Sequence, residues 1–284
     1  MVLSFGMGQF TERRPGPTWT DRMWRPLSSK RQKRLARVPE GIRIYAVGDV
    51  HGRADLLNQL FSGIDADLAM NPIPRAIQVL LGDYVDRGPA SREVLDILIE
   101  RGRRHPMVYL KGNHEVFLEE FLGHPEIFAE WRHFGGIETL LSYGIRPSFN
   151  PDASEQKMLA SGLAKVLPHT HREFLRRLRP SFTCGDFFFV HAGVRPGIPL
   201  AHQTDEDLFW IRDDFLRCEE EFDKIIVHGH TPVDDVEFYP NRVNIDTGAY
   251  ATGRLTCLRI ERDIALFFAG TRVRGRRVYI STSS

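Results

Sequence analysis

Cysteine is scarce in this sequence. Three occur among 284 residues, at Cys184, Cys218 and Cys257, and no two of them have C-x-x-C spacing. So few and so scattered a set excludes a disulfide framework and a structural thiolate zinc site. A reducing compartment is the simpler interpretation, and we treat the three thiols as structural.

Long apolar runs are missing as well. No stretch approaches the roughly 18 apolar residues that a membrane-spanning helix requires, and no apolar h-region or small-residue cleavage site follows Met1. We therefore expect no membrane partner and a cytoplasmic location. The composition, 42% hydrophobic and 26% charged, is that of an ordinary globular protein.

The sequence has almost no net charge, only +1, but its charged residues are unevenly distributed. Residues 1–40 hold nine Lys/Arg against three Asp/Glu, a net of +6, which leaves −5 for the rest. This segment is rich in Pro, Ser and Arg and lacks periodicity, so we expect a flexible basic extension over 1–40. Nucleic acid or an acidic surface is the alternative partner for "SSKRQKRLARV" (28–38). We favour a solvated, partly helical arm without a nucleic-acid contact.

Apolar, β-branched runs that end in polar turns follow the basic segment. The three pairs of run and turn are "IRIYAV" with "GDVHG" (42–52), "AIQVLL" with "GDYVDRG" (76–88) and "MVYL" with "GNHE" (107–115). Apolar residues at helical spacing come after each turn, so the pattern predicts three βα units with a parallel sheet. The polar turns then gather at the carboxyl ends of the strands.

The later part of the chain has a different pattern. Residues 122–180 are typical of a mostly helical insertion, after which strand-like runs return in quick succession. They are "DFFFVHAGV" (186–194), "KIIVHGHTPV" (224–233), "RVNIDTGAY" (242–250), "LTCLRIE" (255–261) and "IALFFAG" (264–270). These runs predict a second sheet, partly antiparallel, packed on the first. We expect an α/β fold of two mixed sheets flanked by helices, with 41–284 as one domain.

Nine polar side chains stand at the predicted strand ends. They are Asp49, His51, Asp83, Asp86, Asn113, His114, His191, His228 and His230. Any one of them alone would be read as a turn, cap or structural residue, but so many polar groups are costly to bury together unless a cation offsets them. Mixed imidazole and carboxylate ligands suit Mn, Fe or Zn. Two metal ions would fit, with Asp83 as a carboxylate able to bridge them.

The motifs "GDVHG", "GDYVDRG" and "GNHE", with "VHAG" (190–193) and "HGHTP" (228–232), resemble the metallophosphoesterase superfamily, and specifically its phosphoprotein phosphatase branch. The resemblance covers about residues 42–260 and implies a calcineurin-like fold. Three further segments look like bacterial serine/threonine phosphatase-like members. They are "GGIETLLSYG" (135–144), "DLFWIRDDFL" (207–216) and "NIDTGAYATGRLT" (244–256).

The resemblance implies two divalent metal ions, which we expect to be Mn, with Fe or Zn as alternatives. The implied ligands are Asp49, His51, Asp83, Asn113, His191 and His230. We prefer His230 to His228 because it matches the family's Gly-His step, and the two would point to opposite faces of a strand. Many relatives outside this branch carry a further His where this chain has Pro232. The first metal is therefore expected to have fewer protein ligands.

The phosphoryl oxygens need cationic side chains beside the metals. Arg87 is the first candidate because a guanidinium can grip two oxygens at once, and Arg212 is the second, by resemblance. The alternative for Arg212 is an ion pair with Asp213 or Asp214. Arg53 is a third possibility that could equally be a helix-surface residue.

The chemistry implied is in-line attack on phosphorus by a hydroxide that two cations generate by lowering the pKa of water from about 15.7 toward 7. His114 would protonate the leaving group, and the resemblance supplies Asp86 as the carboxylate that keeps its imidazole charged and oriented. Glu115 is interpreted as a supporting residue or a helix N-terminal charge.

The leading interpretation is therefore a metal-dependent phosphomonoesterase, a serine/threonine protein phosphatase acting on a phosphoprotein or small phosphoester. The alternative is hydrolysis of dinucleoside polyphosphates such as diadenosine tetraphosphate, which a sister group with similar motifs performs. That group tends to carry Asp at the position of Glu115. A third interpretation, an inactive binding scaffold, predicts gaps in the ligand set, and the sequence has none.

Overall fold

The structure, a computed structural model, describes residues 34–261, 264–269, 277–278 and 281–282. The basic extension predicted for 1–40 lies, up to residue 33, outside the described residues. Those that are described belong to the compact unit Lys33–Ser284. Within them, no helix combines the length and the apolar character needed to cross a membrane. The three cysteines, all in the described part, are free.

Thirteen strands form among the described residues. In chain order they are β1 (Arg34–Leu35), β2 (Ile42–Val47), β3 (Arg75–Leu80), β4 (Met107–Tyr109), β5 (Ser181–Cys184), β6 (Phe187–Val190), β7 (Ile225–His228), β8 (Glu237–Phe238), β9 (Arg242–Asn244), β10 (Leu255–Ile260), β11 (Ile264–Ala269), β12 (Arg277–Val278) and β13 (Ser281–Thr282). The short pair of β1 and β13 is antiparallel and separate from the two main sheets.

The first main sheet has the strand order β12-β11-β10-β2-β3-β4. Strands β2, β3 and β4 are parallel, as the repeated strand, turn and helix pattern predicts. Strand β10 lies antiparallel to β2, with Ile44 opposite Ile260 and Val47 opposite Cys257. The sheet is therefore mixed.

The second main sheet has the order β5-β6-β7-β9-β8, in which β6, β7 and β9 are parallel and β5 and β8 are antiparallel. The prediction that "LTCLRIE" and "IALFFAG" join this sheet is wrong, since they form β10 and β11 of the first sheet. Five of the six residues of β10 are buried, so both of its faces are covered. Such a run carries no alternation that would specify its partner.

Ten α-helices form in the described part of the chain. They are α1 (Ala54–Met70), α2 (Ser91–Gly102), α3 (Asn113–Gly123), α4 (Phe128–Trp131), α5 (Gly136–Ser142), α6 (Ala153–Val166), α7 (His169–Arg176), α8 (Asp205–Trp210), α9 (Asp213–Leu216) and α10 (Ala249–Thr252). Short 3₁₀ helices occupy Pro125–Ile127, Arg132–Phe134 and Leu200–His202. The segment 122–180, expected to be mostly helical, contains α4 to α7.

Successive side chains along a strand point to opposite faces of the sheet, and this alternation divides the core into layers. Ile44 and Ala46 of β2 lie in one apolar cluster with Phe187 and Phe189 of β6, which places that cluster between the two sheets. Tyr45 belongs, with Val47, to a second cluster that includes side chains of α1, α2, α3 and α5 to α7. A third cluster joins the other face of the second sheet to α8 and α9. The order of layers is helix, sheet, sheet, helix.

Candidate metal centre and active site

The polar turns of the two sheets meet at the carboxyl ends of parallel strands. The turns follow β2, β3 and β4 in the first sheet and β6 and β7 in the second. The predicted metal ligands and the predicted proton-transfer pair all lie there, each 5% exposed or less. They are Asp49, His51, Asp83, Asp86, Asn113, His114, His191 and His230. Arg87 is half-buried and Arg212 is exposed.

Left-handed backbone marks this site. Among the described residues, positive φ at a non-glycine position occurs at His51 (44°), Asp83 (51°), Asp86 (71°), Arg87 (66°) and His230 (67°). All five belong to the predicted site. Such a conformation is costly for residues other than glycine, although less so for Asn, Asp and His, and it tends to concentrate at functional sites.

One group of ligand atoms surrounds the amide oxygen of Asn113. That Oδ1 lies 3.0 Å from His191 Nε2 and 2.9 Å from His230 Nδ1, and Asp83 Oδ1 lies 3.3 Å from His191 Nε2. His191 Nδ1 donates to the carbonyl of Leu81 at 2.9 Å, which leaves the Nε2 lone pair directed into the group. These are the residues that the sequence predicts for the second metal site.

A second group of ligand atoms lies on the other side of Asp83. His51 Nε2 is 3.5 Å from Asp83 Oδ2, and His51 Nδ1 donates to the carbonyl of Val85 at 3.0 Å, again leaving Nε2 free to bind. The His114 Nε2 atom is also near, 3.7 Å from the same carboxylate oxygen. Asp83 thus lies between the two groups, as a bridging carboxylate must.

Three of the four histidines in the two groups have a depressed pKa. Burial lowers the pKa of His51, His191 and His230, in spite of the opposing attraction of Asp83. A neutral imidazole keeps the lone pair that a metal ion needs.

Carboxylates crowd the same cavity. Burial raises the pKa of Asp49 well above its ordinary range, and repulsion from Asp246 and Asp83 adds to this effect. Burial also raises the pKa of Asp246 to about 6. Burial alone would raise the pKa of Asp83, but attraction to the surrounding imidazoles, His114 above all, holds it below its ordinary value. Divalent cations would relieve this repulsion.

One buried atom supports the fit to divalent metal ions. Asp49 Oδ1 has no hydrogen-bond partner within the described part of the chain, an arrangement that is costly unless something else binds it. Two groups of potential ligands are formed by His51, Asp83 and His114 and by Asp83, His191 and His230. Nitrogen and oxygen donors of this kind suit Mn, Fe or Zn.

His114 belongs to one of these groups, yet its other ring nitrogen is engaged by a carboxylate. His114 Nδ1 lies 2.7 Å from Asp86 Oδ2. Burial lowers the pKa of His114, but Asp83 and Asp86 outweigh this and raise it overall. This is the pairing expected of a charged, oriented imidazole. Its Nε2 atom lies 3.3 Å from Arg87 Nη2.

Glu115 organises the turn after β3. Its carboxylate accepts hydrogen bonds from the backbone N–H groups of Asp83, Tyr84 and Val85, at 2.9, 2.7 and 3.3 Å, and from that of Gly112 at 3.0 Å. Burial, followed by repulsion from Asp83, raises the pKa of Glu115 to about 8. Its position agrees with the supporting role predicted from the sequence.

The three candidate arginines differ in their surroundings. Arg87 lies beside His114 with its guanidinium carbon 4.5 Å from the centre of the Tyr250 ring. Arg212 donates to Thr231 Oγ1 at 3.1 Å. Arg53 donates to Asp55 and to the carbonyl of Ala249, as a helix-surface residue would.

The ion-pair alternative for Arg212 does not appear among the described residues. Asp213 pairs with Arg217 at 2.8 Å and Asp214 with Arg195 at 3.0 Å. Arg212 is thereby left available at the surface of the site.

His228 is directed away from the ligand groups. Its ring packs edge-to-face on Phe215, with ring centres 4.9 Å apart, and Phe215 belongs to the cluster on the outer face of the second sheet. Burial lowers the pKa of His228 to about 3. The preference for His230 over His228 agrees with these positions.

Sequence reasoning missed four residues that contact the site. Trp131 and Thr139 bind Asp86, Asp246 lies against Asp49, and Tyr250 lies under Arg87. Asp246 and Tyr250 stand in "NIDTGAY", directly after a strand, so their position was a usable signal. Trp131 and Thr139 lie in the helical insertion, and nothing in its periodicity marks them.

Fold and site together define a class of protein, the metal-dependent phosphoesterases. Residues 42–267 match the family model described as calcineurin-like phosphoesterase, and the chain belongs to this family. It is a hydrolase, and the family implies divalent metal ions as its cofactor.

Two named relatives and one solved structure are similar to this chain. A bis(5'-nucleosyl)-tetraphosphatase PrpE (asymmetrical) of Bacillus cereus (strain Q1) is 29% identical over 235 residues, covering 75% of this chain and 88% of the relative. A protein of the same name from Anoxybacillus flavithermus (strain DSM 21510 / WK1) is 26% identical over 236 residues, with the same two coverages. Among solved structures, a cold-active protein tyrosine phosphatase has a TM-score of 0.53 at 18% identity, over 81% of this chain and 78% of that one. This last likeness concerns the fold alone.

Proposed function

We propose that this phosphoesterase hydrolyses bis(5'-nucleosyl) tetraphosphates, the alternative rather than the leading interpretation of its sequence. The observation that carries the proposal is the similarity to relatives named for that activity over 88% of their length. From the sequence, the protein phosphatase interpretation rests on motif resemblance. Family membership and the two ligand groups favour an enzyme over the inactive scaffold.

Six residues would hold two divalent metal ions. They are Asp49, His51, Asp83, Asn113, His191 and His230. When bound, such ions lower the pKa of water and polarise phosphoryl oxygens. Mn is the metal we expect, with Fe or Zn as alternatives, and the cytoplasmic location also stays a prediction.

The side chains around these ligands would position the substrate. Arg87 is half-buried beside His114 and can donate two hydrogen bonds to one phosphoryl group, and Arg212 can neutralise a neighbouring phosphate from the exposed side. A tetraphosphate carries several such groups, so two separated guanidinium groups suit it. On an ester whose leaving group is an alkoxide, His114 would donate a proton to the leaving oxygen.

A specific observation favours a second candidate, hydrolysis of phosphoserine or phosphothreonine esters. The leaving group of a dinucleoside tetraphosphate is itself a phosphate, with a second pKa of about 6, and departs without protonation at neutral pH. An alkoxide leaving group needs a proton. The buried His114–Asp86 pair, 2.7 Å apart, is equipped to give one.

A substrate panel separates the two candidates. Metal-stripped protein would be restored with Mn, Fe or Zn singly and assayed on diadenosine tetraphosphate, phosphoserine and phosphothreonine peptides, and an aryl phosphate. We expect the highest kcat/KM on the dinucleotide with every metal that restores activity. A higher value on either phosphopeptide would overturn the proposal in favour of the second candidate.

A further inference from the structure

The helical insertion supplies the hydrogen bonds that hold Asp86. The indole Nε1 of Trp131 donates to Asp86 Oδ2 at 2.7 Å, the oxygen that also contacts His114. Thr139 Oγ1 donates to Asp86 Oδ1 at 2.5 Å and accepts from the Asp86 backbone N–H at 2.9 Å. Asp86, Trp131 and Thr139 are all fully buried.

Donor and acceptor chemistry fixes the direction of this network. The indole N–H can only donate, so Asp86 Oδ2 must accept from it. With Thr139 donating to the other oxygen, the carboxylate is held as an acceptor on both sides. His114 Nδ1 must then be the donor in its contact with Asp86. Nε2 lies 3.3 Å from an Arg87 nitrogen that can only donate, so it accepts there and takes up a proton once Arg87 turns to a phosphoryl group.

Two glycines between Trp131 and Thr139 allow both donors to reach Asp86. Gly135 has φ of 96° and its carbonyl accepts from the Arg87 backbone N–H at 3.1 Å. A Cβ atom at Gly136 would collide with the Trp131 indole. Residues 131–139 therefore wrap the strained Asp86–Arg87 turn, and this wrapping gives the insertion a part in the active site.

We propose that Trp131 and Thr139 are positioning residues for leaving-group protonation, acting through Asp86 on His114. The inference rests on the proton-donor role proposed for His114. In the step concerned, a water oxygen bonds to phosphorus and the bond from phosphorus to the ester oxygen breaks. The electron pair goes to that oxygen, which takes the His114 Nε2 proton. The water releases a proton to solvent, from which His114 is reprotonated.

The test compares leaving groups at one fixed pH. Trp131→Phe keeps an aromatic ring and removes the N–H, and Thr139→Val removes the hydroxyl, whereas Thr139→Ser retains it. Loss of a partner that orients a reacting group typically costs 10-fold or more. We expect Trp131→Phe and Thr139→Val to lower kcat about 10-fold on a phosphothreonine peptide and at most about 2-fold on 4-nitrophenyl phosphate, with Thr139→Ser close to wild type.

Two further variants make the outcome decisive. Phe128→Leu disturbs packing in the same helix as Trp131 without touching Asp86, and it should lower both activities by the same factor. His114→Asn should show the leaving-group-dependent loss at larger size, on the order of 100-fold. If His114→Asn shows it and Trp131→Phe does not, the positioning role is overturned. If neither shows it, or the wild type does not cleave the peptide, the proton-donor role itself fails.

Discussion

At the residue scale, the site combines strained backbone with dense hydrogen bonding. Five non-glycine residues hold φ between 44° and 71°, at a cost of order 1–3 kcal/mol each. Glu115 offsets part of that cost because its carboxylate accepts hydrogen bonds from four backbone N–H groups, three of them in the turn after β3. The rigid turn keeps Asp83 between the two ligand groups.

Tyr250 provides a prediction at this scale. Its ring lies 4.5 Å from the Arg87 guanidinium carbon and packs edge-to-face on His51. A cation–π contact at such a half-exposed position is worth about 0.5–1 kcal/mol. Tyr250→Leu should raise KM for the best substrate roughly 2- to 5-fold by releasing Arg87, while Tyr250→Phe should match wild type. Equal KM values for the Leu and Phe variants would show that the ring does not position Arg87.

The ligand set was predictable from the sequence because each member stands in a contiguous motif at the end of an apolar run. Trp131 and Thr139 were not. They reach Asp86 across 45 and 53 residues of chain, and although Thr139 stands in "GGIETLLSYG" (135–144), the resemblance of that segment assigns it no contact. A contact that depends on where a helix docks is a tertiary property, which local periodicity does not encode.

At the element scale, the parallel strands were predictable and the later ones only in part. Strands β2, β3 and β4 are each followed by a helix, and the βαβ connection itself dictates parallel neighbours. Strand β10 follows a four-residue helix and pairs with β2, more than 200 positions earlier in the chain. Nothing local specifies that partner, so the assignment to the second sheet failed.

Helix α8 ends at Trp210, just before Arg212, and it provides a prediction at the element scale because it begins with a capping box. Thr204 Oγ1 accepts from the Asp207 backbone N–H at 3.2 Å and donates to its carboxylate at 2.8 Å. Thr204→Ala should lower the free energy of unfolding by about 1 kcal/mol, measured in urea. Thr204→Ser keeps the hydroxyl, so this variant should retain most of that free energy of unfolding. Equal losses in the two variants would rule out the cap as the cause.

At the scale of the whole molecule, four layers place two sheets so that five strand ends meet around one cluster of buried ligands. The cluster holds Asp49, Asp83 and Asp246 at short range, and burial raises the pKa of two of them. The metal-free protein therefore carries unfavourable electrostatics that bound cations would remove.

Metal binding should accordingly stabilise the whole fold. A free metal concentration of 100 times Kd raises the free energy of unfolding by about 2.7 kcal/mol for each site. We expect chelation to lower Tm and addition of Mn to restore it. In the Asp83→Ala variant, addition of metal should raise Tm much less than in the wild type, and the activity should be lost. A Tm independent of metal, or wild-type activity in Asp83→Ala, would contradict the two-metal site.

The central claim, that this metal-dependent phosphoesterase acts on dinucleoside tetraphosphates, is tested most directly by internal competition. Diadenosine tetraphosphate and a phosphothreonine peptide at equal concentration would be mixed with the Mn-loaded wild-type protein in one reaction. The relative rates of their disappearance give the ratio of the two kcat/KM values, whatever the fraction of active enzyme. We predict a ratio well above 10 in favour of the dinucleotide, on the order of 100-fold. A ratio below one would contradict the claim and identify phosphoprotein hydrolysis as the activity.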